Sequence, residues 1–193
     1  MRALRWGRAD SIGLEAVLWV AAALGVLGLV PRVRAALQQD RLEVTAELPE
    51  SAVPAGSSVE APLTGTVVIE DPTGQQAALA LLPDVLAVLL VVAAVGLLLR
   101  VVRSVGAGDP FPPENARRLT GLALLVGVGG VAVQVVAGVV RNELLVDVTV
   151  LGERVPVVFE LSLWPLLAML LLAFLAQVFV RGAALSADVD GLV

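Results

Sequence analysis

Four apolar runs, residues 12–30, 83–102, 119–140 and 163–180, limit this chain more than any other feature of it. A helix rises about 1.5 Å per residue, so about 20 residues cross a hydrocarbon core about 30 Å thick, and each run is close to that length. A membrane α-helical fold with four transmembrane helices is therefore predicted. Composition agrees, because mean hydropathy is +0.92 and charged residues make up 16%, against about 25% in soluble domains. Arg2, Arg5 and Arg8 precede the first run as they would a secretory signal. That run exceeds a signal core, and no small-x-small cleavage site follows directly, so it is read as a retained anchor.

The runs divide the chain into an N-terminus with the first span (1–36), a long connector (37–82), the second span (83–103), a short connector (104–118), the third span (119–140), a further connector (141–162), the fourth span (163–181) and a tail (182–193). Arginines near the span ends set the orientation. The N-terminus, the short connector and the tail carry eight, Arg2, Arg5, Arg8, Arg100, Arg103, Arg117, Arg118 and Arg181. The opposite side carries five, Arg32, Arg34, Arg41, Arg141 and Arg154. Both termini are expected in the cytoplasm of a bacterial inner membrane, although Arg32 and Arg34 directly after the first span oppose the bias. All 13 basic residues are Arg, a usage that suggests a GC-rich bacterial genome.

The two connectors on the outer side read as β structure. Residues 41–48 alternate strictly, with Leu42, Val44, Ala46 and Leu48 on one face and Arg41, Glu43, Thr45 and Glu47 on the other, the period of a half-buried strand. Residues 66–70 are rich in β-branched side chains, and residues 49–62, rich in Pro, Ser, Gly and Ala, read as a mobile loop. After the third span Leu144, Val146, Val148 and Val150 alternate with Leu145, Asp147 and Thr149. Residues 151–154 can turn the chain, and Val155, Val157, Phe159 and Leu161 form a second inward row, which predicts a hairpin. A lone hairpin is marginal in water. The two connectors are therefore expected to pair into one small extracytoplasmic antiparallel β-subdomain.

Ionisable and polar groups inside the spans are candidate functional residues. Asp84 follows Pro83 and is placed in the first turn of the second helix, where a proline fits and a carboxylate suits the helix dipole. Glu15 lies one turn inside the first span and is expected to reach headgroup water or pair with an arginine. Ala123, Gly127, Gly130, Gln134 and Gly138 follow at spacings of four and three, on one helix face, a packing seam across which the Gln134 amide can bond. Gln177 is read in the same way. Ser162, Trp164 and Pro165 mark the start of the fourth helix, with the Trp in the interfacial belt; Trp6 is given the same role on the inner side.

The residue types exclude most enzyme chemistry. The chain has no Cys, His, Tyr or Lys, which removes soft metal ligands and most nucleophiles and bases. No phosphate-binding loop, dinucleotide fingerprint or metal-ligand cluster is present. No catalytic residue, cofactor or metal is assigned. The most polar stretch is G-A-G-D-P-F-P-P-E-N-A-R-R-L, residues 106–119. Gly106 and Gly108 can end a helix, Asp109-Pro110 turns the chain, Pro112, Pro113 and Glu114 start the next helix, and Arg117 and Arg118 can reach lipid phosphates. Asp109 and Glu114 as a carboxylate pair lack any substrate pocket in the pattern. Phe111 has no connector role, and with Arg117, Arg118 and Leu192 it is a candidate partner contact.

Gly108-Asp109-Pro110-Phe111 followed by Glu114-Asn115-Ala116-Arg117-Arg118-Leu119, then L-W-P-L-L-A from Leu163 to Ala168 and R-G-A-A-L from Arg181 to Leu185 before an acidic end, resembles the bacterial membrane family catalogued as domain of unknown function 2975. The resemblance covers most of the chain in layout. It implies four spans with this loop between the second and third, no established activity, and a functional link to a small helix-turn-helix regulator, since such regulators are often encoded beside members of the family. A non-enzymatic accessory, sensory or regulatory protein is the function expected, acting with the bilayer and with a protein partner or a second copy, and without direct nucleic-acid binding. A small transporter or channel subunit using Glu15, Gln134 and Asp84 is the alternative. Single cysteines in this cysteine-free chain test the orientation. A membrane-impermeant maleimide is expected to label Ser57→Cys from outside intact cells and Ser104→Cys only after the membrane is opened, and the reverse pattern would invert the topology.

Overall fold

The structure, a computed structural model, describes residues 8–38, 41–48, 63–106, 112–150, 152–156 and 159–190. Its elements run α1 (Arg8–Gln38), β1 (Arg41–Leu48), β2 (Leu63–Glu70), α2 (Gly74–Gly106), α3 (Pro113–Leu124), a π-helical turn (Leu125–Gly129), α4 (Gly130–Leu145), β3 (Thr149–Val150), β4 (Glu153–Arg154) and α5 (Trp164–Asp190). α3, the π turn and α4 follow without interruption, and four helices are long and apolar enough to cross a membrane. Within the chain only 6% of the most apolar window of α1 and of α5 is buried, against 22% for the other two. The exposed Leu, Val and Phe side chains of α1 and α5 form a surface that suits hydrocarbon and not water.

The helices outrun the apolar stretches because hydrogen bonding, not hydropathy, fixes their ends. α2 begins at Gly74 rather than at Pro83. Thr73 N–H donates to Gln76 Oε1 at 2.9 Å and Gln76 N–H donates to Thr73 Oγ1 at 3.2 Å, a capping box that satisfies both donors. Asp71, just before it, has φ 51, a left-handed conformation that Asp tolerates better than most residues. Pro83 therefore lies inside α2, as Pro31 lies inside α1, and each removes one donor from its ladder. This corrects the placement of Pro83 and Asp84 in a first helical turn. α3 starts with Pro112 in an extended conformation (φ −66, ψ 145), Pro113 as its first residue and Glu114 in its first turn. At the start of α5, Ser162 Oγ accepts from Trp164 N–H at 3.4 Å.

The chain divides into two compact units, the first made of Met1–Leu27, Ala87–Val131 and Ser162–Val193. Its core forms around α3, where Leu119 and Leu122 pack with Val101 of α2 and Ala176 of α5. Leu18 and Ala22 of α1 meet Val95 and Leu99 of α2. The expected row of small residues is in contact: Ala123 is buried, a Cβ on Gly127 would come within 2.7 Å of Met169 Cβ, and one on Gly130 would come within 2.7 Å of Pro165 Cβ. The π turn was not anticipated. It coincides with Gly127-Val-Gly-Gly130, where missing Cβ atoms leave the backbone least constrained.

The second unit comprises Gly28–Leu86 and Ala132–Leu161. β1 and β2 pair antiparallel over eight residues, from Arg41 opposite Glu70 to Leu48 opposite Leu63. Val44, Ala46 and Val67 face Val140, Leu144 and Leu145 of α4 and Val155. Gly138 belongs to this unit, and a Cβ there would run into the Phe159 ring.

The second connector departs from expectation. It forms its own sheet instead of joining β1 and β2, with two-residue strands, Thr149 opposite Arg154 and Val150 opposite Glu153. Leu144 and Leu145 finish α4, and Val146 and Asp147 turn the chain, because the four-residue step from Val140 to Leu144 keeps a helical face on the core. Gly152 has φ +84, a conformation for which glycine is the natural choice. Leu161 is exposed rather than inward-facing, Phe159 lays its ring on Gly138 yet stays half exposed, and Val157 lies outside the described residues. Val148, Val150 and Val155 nonetheless join the cluster under β1 and β2, so the two connectors share an apolar core without sharing a ladder. Residues 49–62 also lie outside the described residues.

Gly130→Ala is expected to lower unfolding free energy in detergent by about 1–3 kcal/mol, because the Pro165 ring cannot rotate away from the added carbon. Gly121→Ala, with nothing within 4 Å of the new Cβ, should instead gain up to about 1 kcal/mol from helix propensity. Denaturant unfolding of the two variants checks this; equal effects would contradict a tight seam at Gly130.

Candidate functional site

A cleft of the second unit is about 600 Å³ in volume, within the range of small-molecule sites. The last turns of α1 supply Pro31, Arg32, Ala35 and Ala36. α2 supplies Ala77, Ala80, Leu81 and Asp84, which stand at i, i+3, i+4 and i+7 and so share one helix face. Arg41, Leu42, Glu43 and Thr45 of β1 complete it. Apolar and polar surface line it in nearly equal shares, the polar part coming from Arg32, Arg41, Glu43, Thr45 and Asp84.

Arg32 Nη1 and Asp84 Oδ1 form an ion pair across the cleft's two helices. α2 starts early enough to carry Asp84 in its interior, which is why the carboxylate meets an arginine side chain instead of capping a helix. With Arg32 61% exposed and Asp84 30% exposed, water screens the pair. In the first unit, Arg103 Nε donates to Glu15 Oε2 at 3.2 Å, so Glu15 also has an arginine partner. A smaller cavity in the second unit, about 50 Å³, is lined by Glu47, Arg141 and Glu160 with Thr45, Ala46 and Thr64 among its other walls.

Comparison with family models, with curated proteins and with solved structures finds no match. The chemistry of the site has to be read from its own residues.

The start of α3 is built differently from the pattern of phosphate anchors. Asn115 is fully buried. Its Oδ1 accepts from Arg118 Nη1 at 2.9 Å, which fixes the amide, and Nδ2 has no partner among the described residues. Arg118 also donates a long bond, 3.5 Å, to the Arg100 carbonyl. Arg118 is therefore half-buried and turned back onto its own helix, while Arg117 and Glu114 are exposed. Phe111, Asp109 and Leu192 lie outside the described residues. Gln134 is half-buried in α4, and Gln177 is exposed on α5 rather than set in a helix contact. Gly127, Gly130 and Gly138 serve close packing.

Two features of the site escaped the sequence reading although their signals were present. Thr73-Gly-Gln-Gln76 is a capping-box pattern that would have started α2 early and put Asp84 within reach of α1. Arg32 counted only toward orientation, yet it is the partner of that carboxylate. A double-mutant cycle of Arg32→Ala and Asp84→Ala is expected to give a coupling of about 0.2–1 kcal/mol in detergent, as for exposed pairs, shrinking in molar salt. A coupling above about 3 kcal/mol would mean that the pair is desolvated.

Proposed function

We propose that the protein is a multi-pass protein of a bacterial inner membrane, with both termini in the cytoplasm, and that it acts as a non-enzymatic sensory or regulatory component whose recognition site is the cleft of the second unit. The cleft carries this reading: it joins two helix walls and a strand, and it combines apolar lining with placed charges. In the proposed orientation it faces outward.

The ion pairs support a bilayer around the helices. Both join α1 to α2, Glu15 to Arg103 and Arg32 to Asp84, and no charged side chain occurs in residues 16–31 or 85–99 between them. At about 1.5 Å per residue these uncharged runs of 16 and 15 residues would extend about 24 Å and about 22 Å as helix, most of a hydrocarbon thickness of about 30 Å. Charges at the ends of such runs reach headgroups and water. The same pairing weakens the transport alternative, because both carboxylates that a polar path would use are held by arginines.

The signal route follows the helices. α1, α2 and the third span each pass from one unit to the other, after Leu27, Leu86 and Val131. Each has a weak ladder close by, at Pro31, at Pro83 and at the π turn ending at Gly129, and such points are where helices bend. Occupancy of the cleft then biases packing along the Gly127 and Gly130 seam and changes what the start of α3 presents to a partner, for which the family resemblance points to a helix-turn-helix regulator. A photo-crosslinker replacing Glu114 should capture a cytoplasmic protein in native cells, and filling the cleft with Ala80→Trp should change the yield by about fivefold or more, the low end of allosteric coupling. No adduct, or an unchanged yield from a folded Ala80→Trp protein, would end this reading.

A further inference from the structure

β1 is a strand with one edge used and, among the described residues, one edge unpaired. All eight of its residues pair with β2 on one side, and the sheet has two strands, so among the described residues none pairs with the other side. The cleft lies along that open edge. Arg41, Glu43 and Thr45 point to one face of the ribbon and Leu42 to the other, yet all four line the cleft, and β2 contributes no residue to it. A space touched by both faces of a strand lies at its edge. One wall of the cleft is therefore a row of backbone N–H and C=O groups, the surface to which another extended backbone is complementary.

We infer that the cleft takes an extended peptide segment of a partner protein, added antiparallel to β1 as a third strand; this rests on the cleft being the recognition site. The far wall leaves the room, since Ala35, Ala36, Ala77 and Ala80 project no side chain longer than a methyl. That wall is helical, so the space admits a single chain and not the β1–β2 ribbon of a second copy. The stretch from Arg41 to Thr45 runs about 13 Å at about 3.3 Å per residue, long enough for several ladder bonds.

Charge sets the partner's pattern. Arg41 and Glu43 stand two residues apart on the exposed face, and neither has an ion-pair partner among the described residues. On the opposite face Leu42 packs against the cluster that contains Val44. A strand running antiparallel to β1 then meets apolar positions opposite Val44 and Leu42, a basic one opposite Glu43 and an acidic one opposite Arg41. Read in its own direction, the matching core is Thr-Val-Lys-Val-Glu. Three strands also exceed the marginal two-stranded state.

The test uses the full-length protein in nanodiscs, a capped peptide with that core, a second peptide with Lys and Glu exchanged, and a backbone N-methylated version of the first. Amide hydrogen exchange is followed residue by residue in Arg41–Leu48. The matching peptide is expected to slow every second amide of β1, the set not bonded to β2, by at least about tenfold, and the N-methylated peptide to slow none. The exposed double variant Arg41→Glu with Glu43→Arg should reverse the preference between the two charged peptides by about tenfold, a readout that a merely structural role would not move.

No protection at millimolar peptide, or equal protection by the N-methylated peptide, overturns the inference. Protection that rises with the protein's own concentration assigns the edge to a second copy and also overturns it, as does protection produced by changing the nanodisc lipid alone. If peptide binding fails while Ala80→Trp still alters the Glu114 crosslink, the strand partner is wrong and the cleft keeps its role.

Discussion

Helices in hydrocarbon gain little from hiding apolar side chains from one another, because lipid tails are as apolar as leucine. What holds them is close contact, many weak dispersion terms that fade within an ångström of gap. In the first unit that contact is made where Gly127 and Gly130 receive Met169 and Pro165. A proline in the first turn of α5 is a rigid wedge, and a glycine opposite it lets the backbones approach with no rotamer to adjust. In the second unit Gly138 does the same for the Phe159 ring. These contacts fix how the fourth helix and the segment before it meet the third, and the leucines of α3 then fill the remaining space against α2 and α5.

This seam was legible because close packing has a sequence period, and a row of small residues at spacings of four and three has no other common physical cause. β1 was legible for the same reason, since a period of two with one charged and one apolar face can only lie flat on a core. The ends of the helices were not. Hydropathy reports where a chain can contact lipid, whereas a helix ends where its hydrogen bonds lose partners. The capping box at Thr73 and Gln76 carries almost no hydropathy signal. The second connector failed for a related reason. Leu144, Leu145 and Val146 are all apolar, so they suit either period, and a helix already bonded through Val140 extends more cheaply than a new strand begins.

The candidate site shows the same division. Its charged residues were visible singly, Arg32 and Arg41 as orientation signals and Asp84 as a cap. What sequence could not supply was the start of α2, and with it the helix face that sets Asp84 beside Arg32 and Ala77 and Ala80 in the cleft wall. Buried Asn115 is a further case, since its contact with Arg118 is a three-residue helical step whose meaning depends on which face is buried.

The arrangement of charge then explains how so apolar a chain can keep ionisable groups in its first two helices. A charge at the bilayer centre costs several kcal/mol, and a carboxylate there would sooner be neutral. Glu15 and Asp84 each meet an arginine on the opposite helix, and both arginines are more than half exposed. Pairs of this kind add little stability singly. Their value is in register, because within each unit a slide of α1 past α2 by a single turn, about 5.4 Å, parts the pair that the unit holds. In the second unit the Arg32–Asp84 pair thereby holds the two helix walls of the cleft in register with each other.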